Sequence, residues 1–244
     1  MKITTGKTTA GKVASRLNLR RIGGAGLLSL LTLAGGALAP LAAQENDWGG
    51  QRVVNIKQEP RHRTMHNDGD LYVIDVQINP GDQTLPHTHD SAIMYTFISN
   101  GDGPLGGRVS SNTDYVKENF THQVSNEGPH LFRIIAFANY GPGQSDLAAG
   151  RPSGVSVEPQ LENAWFRSYR IELAPGQTTS LQTHQNPTVI VQVTDGMTHV
   201  TRQDGITAEL DAMGDWAWRE ANSAYHIRNV GAVPVSVVVN EGRR

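Results

Sequence analysis

Residues 80–101 read PGDQTLPHTHDSAIMYTFISNG, and residues 175–196 read PGQTTSLQTHQNPTVIVQVTDG. The two stretches have equal length, open on Pro-Gly, carry Thr-His at the same place and close on Gly. Further on, residues 122–128 (HQVSNEG) lie over residues 225–231 (YHIRNVG), with eight more residues intervening in the second copy. Two correspondences in the same order mark an internal duplication. Each copy is built from short apolar or alternating runs, at 71–78, 93–98, 131–137, 189–193 and 233–239, separated by Pro-Gly and Asn-Gly turns. No window of eleven or more residues after Gln44 carries a helical period. The fold class is therefore all-β.

These residues resemble the cupin superfamily over nearly the whole chain after residue 43. The first cupin motif runs Gly, five residues, His, one residue, His, three or four residues, Glu, six residues, Gly. Here Gly81, His87, His89 and Gly101 fill those places, and Met94 stands where the Glu belongs. The second motif ends in His, three residues, Asn, which His122 and Asn126 match, although the Pro and Gly usually found ahead of that histidine are absent. In the second copy Gly176, His184 and Gly196 keep the frame while Gln182, Val189 and Tyr225 replace the other ligands. The resemblance implies two double-stranded β-helix, jelly-roll-like barrels, a bicupin, similar to the small exported two-barrel cupins of bacteria.

The first site can also be read from its residues alone. Alternate side chains of a strand share a face, so His87 and His89 project together, about 6.5–7 Å apart along the chain. His122 from another strand would complete a three-imidazole set with coordination positions left open. The expected cofactor is a divalent metal ion held by His87, His89 and His122, with Fe, Mn and Zn all admissible. Three neutral ligands leave the ion its full formal charge, which favours anionic, chelating substrates. Met94 is expected to fill the barrel rather than ligate. Tyr95, of opposite parity, is expected to point outward, and no catalytic residue beyond the metal ligands is assigned. His62 and His66 read as surface or inter-barrel residues and His130 as a turn residue. His184 is expected to be hydrogen-bonded inside the second barrel, and His226 to lie on its outer face. The Gly-rich stretch 100–107 has no Lys or following helix for phosphate binding and reads as a loop at the barrel mouth.

Residues 1–43 differ from the rest. Six basic residues and no acid precede or enter an apolar, Leu/Ala/Gly-rich stretch that ends on small residues, the order of a secretory signal that is removed on export. Of 21 basic and 23 acidic residues in the chain, 15 basic and all 23 acidic ones follow residue 43, so the mature part carries −8 with His neutral. That charge disfavours nucleic acid and anionic membrane surfaces, and no stable membrane contact is expected after signal cleavage. The absence of cysteine excludes disulfides, thiolate ligands and a cysteine nucleophile. The expected organisation is a signal peptide over 1–43, a barrel with the metal site over 44–139, a Gly/Pro/Ser-rich linker over 140–163, and a barrel with a degraded site over 164–244. The two barrels are expected to pair within the chain, with homo-oligomerisation left open. The expected function is that of a periplasmic or secreted, metal-dependent small-molecule enzyme, with oxygenases among those the resemblance implies. The alternative is a non-catalytic module that binds or senses a small ligand.

Overall fold

A computed structural model of the chain describes residues 48–244, together with the backbone of one strand at Lys2–Gly6. The rest of the expected signal segment lies outside the described residues. The strands are β1 Lys2–Gly6, β2 Val54–Asn55, β3 His62–Asp68, β4 Leu71–Ile78, β5 His87–His89, β6 Ala92–Asn100, β7 Pro104–Asn112, β8 Phe120–Ser125 and β9 Phe132–Asn139. The second half supplies β10 Leu161–Glu162, β11 Phe166–Leu173, β12 Thr188–Gln192, β13 Thr198–Arg202, β14 Thr207–Leu210, β15 Trp216–Arg219, β16 Tyr225–Asn229 and β17 Val235–Gly242. Among the described residues, helical structure is confined to single 3-10 turns at Ile56–Gln58 and Asp114–Val116. No helix there is long and apolar enough to cross a membrane.

The strands form four sheets. In the first half the order is β3-β4-β9-β6-β7 in one sheet and β1-β8-β5-β2 in the other. In the second half it is β10-β11-β17-β12-β15 and β14-β13-β16. Within each half one apolar cluster draws on both sheets: Ile74, Val76 and Ile134 meet Val124 in the first, and Ile171 and Val237 meet Val200 and Ile227 in the second. Each half is thus two sheets closed over a core, the double-layer solution open to short strands that are apolar on one face.

The duplication is visible in the hydrogen bonds. Gly81 N donates to Asn126 O at 2.9 Å, and Gly176 N to Asn229 O at 3.0 Å. Both glycines have positive φ, at +78° and +77°, a conformation open to Gly without steric cost. The Asn126 amide donates to Ile78 O and His130 O and accepts from Gly128 N. Asn229 does the same with Leu173 O, Val233 O and Gly231 N. Each asparagine therefore pins a loop to the end of a neighbouring strand.

A third cluster joins the halves. Leu71, Val73, Met94 and Phe137 on the outer face of the first large sheet pack against Phe166, Val189, Val191 and Val238 of the second. Both sheets are thereby buried on two faces, which explains the unbroken apolar runs Ala92–Tyr95 in β6 and Val189–Val191 in β12. Each such side chain, fully buried, is worth about 1.5–3 kcal/mol. Polar links cross the same seam: Asn240 Nδ2 donates to Thr96 Oγ1 at 2.8 Å, and Arg170 donates to the carbonyls of Gly106 and Gly107 at 2.7 and 2.9 Å. A Cβ on Gly107 would collide with the Val193 side chain. The stretch 100–107 is therefore a loop after the motif strand only over residues 101–103. Its second part belongs to β7, where the missing side chain of Gly107 lets Val193 of the second half approach.

Residues 141–160 between β9 and β10 form no strand. Two fully buried guanidinium groups hold this segment. Arg167 donates to Leu147 O, Ala149 O and Gly150 O, and Arg243 to Asp146 O and Asn163 O. Arg167 is charge-compensated by Glu162 at 2.6 Å and by the buried Glu241 at 3.3 Å.

Candidate metal centre

His87 and His89 sit on β5, and β8 runs antiparallel to it with His122 directly opposite His87. Alternation then puts all three imidazoles on one face, as expected from the spacing. Their ligand atoms lie within 4.8 Å of one another, and they form the one group of three or more His, Asp or Glu with metal-binding geometry among the described residues. His87 and His89 are buried at 0% and 3% exposure, and His122 is partly buried.

The hydrogen bonds decide what this cluster can hold. His87 Nδ1 donates to Leu85 O at 2.9 Å, so its Nε2 carries the lone pair, and that atom is buried without a partner. Nε2 of His89 and Nε2 of His122 are 2.9 Å apart. Two lone pairs do not face each other stably at that distance, so either one nitrogen bears a proton or a cation takes both. Burial first, then the neighbouring His62 and His122 rings, pushes His87 down to about 2. Burial and His62 push His122 down to about 4. Burial and the surrounding imidazoles likewise hold His89 well below the usual histidine range. All three rings are neutral at neutral pH, the charge state metal binding requires; in the metal-free protein one of the facing Nε2 atoms carries its ring's single proton, and moving that proton to Nδ1 frees the lone pair. The donor set fits a divalent ion of the imidazole-preferring kind.

His62 belongs to this site, against the expectation of a surface or inter-barrel residue. It opens β3, is buried, and its ring centroid is 4.3 Å from that of His87. Its Nδ1 lies 2.6 Å from Glu59 Oε2. Glu59 is itself buried and accepts from Arg61 N and, through Oε1, from Leu85 N at 3.1 Å. Burial alone would raise this carboxyl, but the hydrogen bond and charge of His62 and the two backbone donors bring it below its ordinary value. Glu59 thus fixes His62 directly and, through the Leu85 peptide whose carbonyl receives His87, steadies His87 as well. Its position just after the turn Ile56–Gln58 lies outside both motifs. The one sequence signal was an acid three residues ahead of a histidine.

The parity of β6 is the reverse of the one expected. Ala92, Met94 and Ile98 belong to the seam between the halves, whereas Ile93 lies in the first-half core and Tyr95 and Phe97 line the cavity beside the imidazoles. Met94 therefore neither fills the barrel nor reaches the metal site. The interior place for a carboxylate, at a spacing of three after His89, holds Ile93. Tyr95 points inward, its ring 6.5 Å from that of His89. Burial, then the adjacent Tyr115 phenol, raises Tyr95 far above its usual range, so it stays protonated. Val189 is likewise a seam residue, and Thr188 takes the interior place in the second half, 3.5 Å from the Tyr225 hydroxyl.

The remaining histidines take no part in the cluster. His66 is half-buried with its ring 4.3 Å from Trp218 of the other half, His130 is exposed, and His226 alternates outward between buried Tyr225 and Ile227. His184 is buried as expected, but neither ring nitrogen is hydrogen-bonded. Its ring stacks on Tyr225 at 5.9 Å, and Nδ1 lies 3.6 Å from Glu241.

A cavity of about 350 Å³ opens beside the imidazoles, with His62, His89, His122, Tyr95 and Tyr115 contributing its polar edges. Phe97, Val76, Val124, Phe132 and Ile134 supply much of the remaining wall.

No protein-family profile and no curated protein matches the chain. Solved structures do. AerE from Microcystis aeruginosa aligns with a TM-score of 0.51 at 9% identity, over 76% of this chain and 99% of its own. A salicylate 1,2-dioxygenase from Pseudaminobacter salicylatoxidans aligns with a TM-score of 0.52 at 10% identity, over 75% and 77%. A cupin 2 conserved barrel domain protein from Leptotrichia buccalis aligns at 0.45 and 12%, over 74% and 88%. At such identities the likeness is one of fold. The chain is an all-β protein of cupin-type fold whose first half carries a cluster of three histidines able to hold a metal ion.

Proposed function

We propose that the protein is a metal-dependent enzyme acting on a small molecule inside the first barrel, with His87, His89 and His122 as the ligands. The observation that carries this reading is the buried, partnerless Nε2 of His87 together with the Nε2 pair of His89 and His122. A bound divalent ion would supply Lewis-acid or redox chemistry with open coordination positions for substrate, and dioxygen chemistry is among the activities it permits. The chain's own residues do the rest. Leu85 O orients His87, Glu59 orients His62, the protonated Tyr95 phenol can donate toward a bound molecule, and the apolar wall keeps bulk water out. The signal-like order of residues 1–43 supports action in the periplasm or outside the cell. The apolar seam supports a second half that serves as a packing partner.

The test is elemental analysis of the mature protein, prepared without chelator or nickel affinity resin, beside a His87→Ala/His89→Ala/His122→Ala variant. About one ion per chain, lost in the variant, is the expected result. A second reading, a non-catalytic binding module, is favoured by the largely apolar cavity. It takes over if both proteins stay metal-free after reconstitution while equally folded.

A further inference from the structure

The cavity beside the imidazoles has a wall of definite chemistry. Its lining includes no Lys, Arg, Asp or Glu. Its polar groups are gathered in the three imidazoles and two phenols already named, and the other side chains are aliphatic or phenyl. Tyr115 and Phe120 stack with centroids 5.2 Å apart and planes 4° from parallel, and together they flank the imidazole end: Tyr115 lies 5.1 Å from His89 and Phe120 5.1 Å from His122. The volume, about 350 Å³, is at the small end of ligand pockets and suits a molecule of about ten to fifteen non-hydrogen atoms. A sugar, polyol or polycarboxylate would leave several hydroxyl or carboxylate groups facing carbon, each unpaired and costly. A flat apolar ring would lose nothing there and would gain aromatic contacts.

One polar group on this wall has a defined direction. Because Nδ1 of His62 is held 2.6 Å from Glu59 Oε2, the Nδ1 proton points at the carboxylate and the Nε2 edge of the ring is turned away from it, on a ring that lines the cavity. A hydroxyl group, which both donates and accepts, pairs with that edge.

We infer that the cavity takes a compact aromatic molecule with an apolar body and a single polar head at the imidazole end, the head a hydroxyl hydrogen-bonded to His62. The inference rests on the proposed function for its meaning as a substrate class, but it is testable without metal. An anionic head is compatible only at that end, which narrows the expectation of anionic chelators to molecules whose remainder is apolar.

The probe is 2-naphthol, titrated by its fluorescence into chelator-treated protein, with 2-methoxynaphthalene and methyl glucoside as comparators. Both naphthalenes are expected to bind and the glucoside not to. Ile134→Trp, which fills the cavity, should abolish binding, and Val76→Phe serves as a milder blocking variant should the first fail to fold. His62→Phe should weaken 2-naphthol by roughly three- to ten-fold while sparing the methyl ether. Preference for the glucoside, or naphthol binding that survives a folded blocking variant, overturns the inference. Equal effects of His62→Phe on both naphthalenes overturn the placement of the head at His62. Metal content of the same preparations is measured separately. Metal uptake without naphthol binding sinks this inference alone, and naphthol binding without metal uptake sinks the metal reading alone.

Discussion

Exchanging Met94 for Glu separates the motif's frame from the strand's parity. Counted with a spacing of four, the exchange restores a missing ligand and should favour metal binding. In the structure Met94 is fully buried in the seam, in one apolar cluster with Phe137, Phe166 and Val189. Removing a buried Met side chain costs about 2–5 kcal/mol. A carboxylate left there without a partner costs several kcal/mol more, or must stay protonated. A loss of at least about 4 kcal/mol is therefore expected, which for a chain of this size corresponds to a melting temperature lower by about 8–16 °C. Ile93→Glu is the matched control. It also sacrifices apolar burial, but it places its carboxylate on the interior face that Tyr95 shares. Thermal melts with and without manganese should show Met94→Glu strongly destabilised at any metal concentration, and Ile93→Glu recovering more on metal addition than the native protein does. A Met94→Glu protein that melts like the native one, or gains more from metal than Ile93→Glu, refutes the assigned parity.

Glu59→Gln keeps the size of the side chain but removes the charge behind His62 and weakens the anchoring of Leu85. By analogy with other residues that orient metal ligands, metal affinity should fall by about 10- to 100-fold, read by competition with a chelator. Unchanged affinity would show that Glu59 serves the turn alone. For pH, the folded-state values of His87 and His122, about 2 and about 4, lie below the unfolded value near 6.5, so the folded metal-free protein binds fewer protons. Stability is then fully present above pH 6.5 and declines as pH falls, by about 1.4 kcal/mol per pH unit for each imidazole kept neutral, with the His122 contribution levelling off near pH 4. Urea melts at pH 7, 6 and 5 should show the decline, and His122→Gln should make it shallower. A flat profile across that range contradicts the burial argument.

The strands, the three histidines and the duplication were legible because each depends on local spacing. Turn residues bound β4 as expected, and the His-x-His alternation survives because both residues lie on one strand. What failed was counting onward from His89. β5 and β6 belong to different sheets, and the bend at Asp90 and Ser91 between them resets the alternation, so spacing no longer says which face a residue takes. The pattern of β6 could not correct this, because a strand buried on both faces has no alternation to read. His62 was missed for another reason. Its basic neighbours Arg61 and Arg63 made the segment look exposed, and only the closing of β3 over β5 brings it to His87. The end of the Gly-rich stretch was misread as loop because the second half, whose Val193 packs on Gly107, lies far off in sequence.

The contrast between the halves shows how one scaffold can keep its packing while losing its site. The register that sets His87 opposite His122 also sets Gln182 opposite Tyr225. In the second half, however, the interior is filled. Tyr225 is fully buried, His184 stacks flat on it, and Glu241 is committed to Arg167 and Asn186. These exchanges leave the outward residues Val189, Val191 and Val193 untouched, and those residues meet the first half. Because adjacent residues of a strand face opposite ways, the interior of the second half can change without disturbing the seam. A half that lacks the three-imidazole set can thus still cover the outer face of β4, β6 and β9, and burying that face steadies β6, the strand that carries Tyr95 and Phe97 into the cavity beside the metal centre.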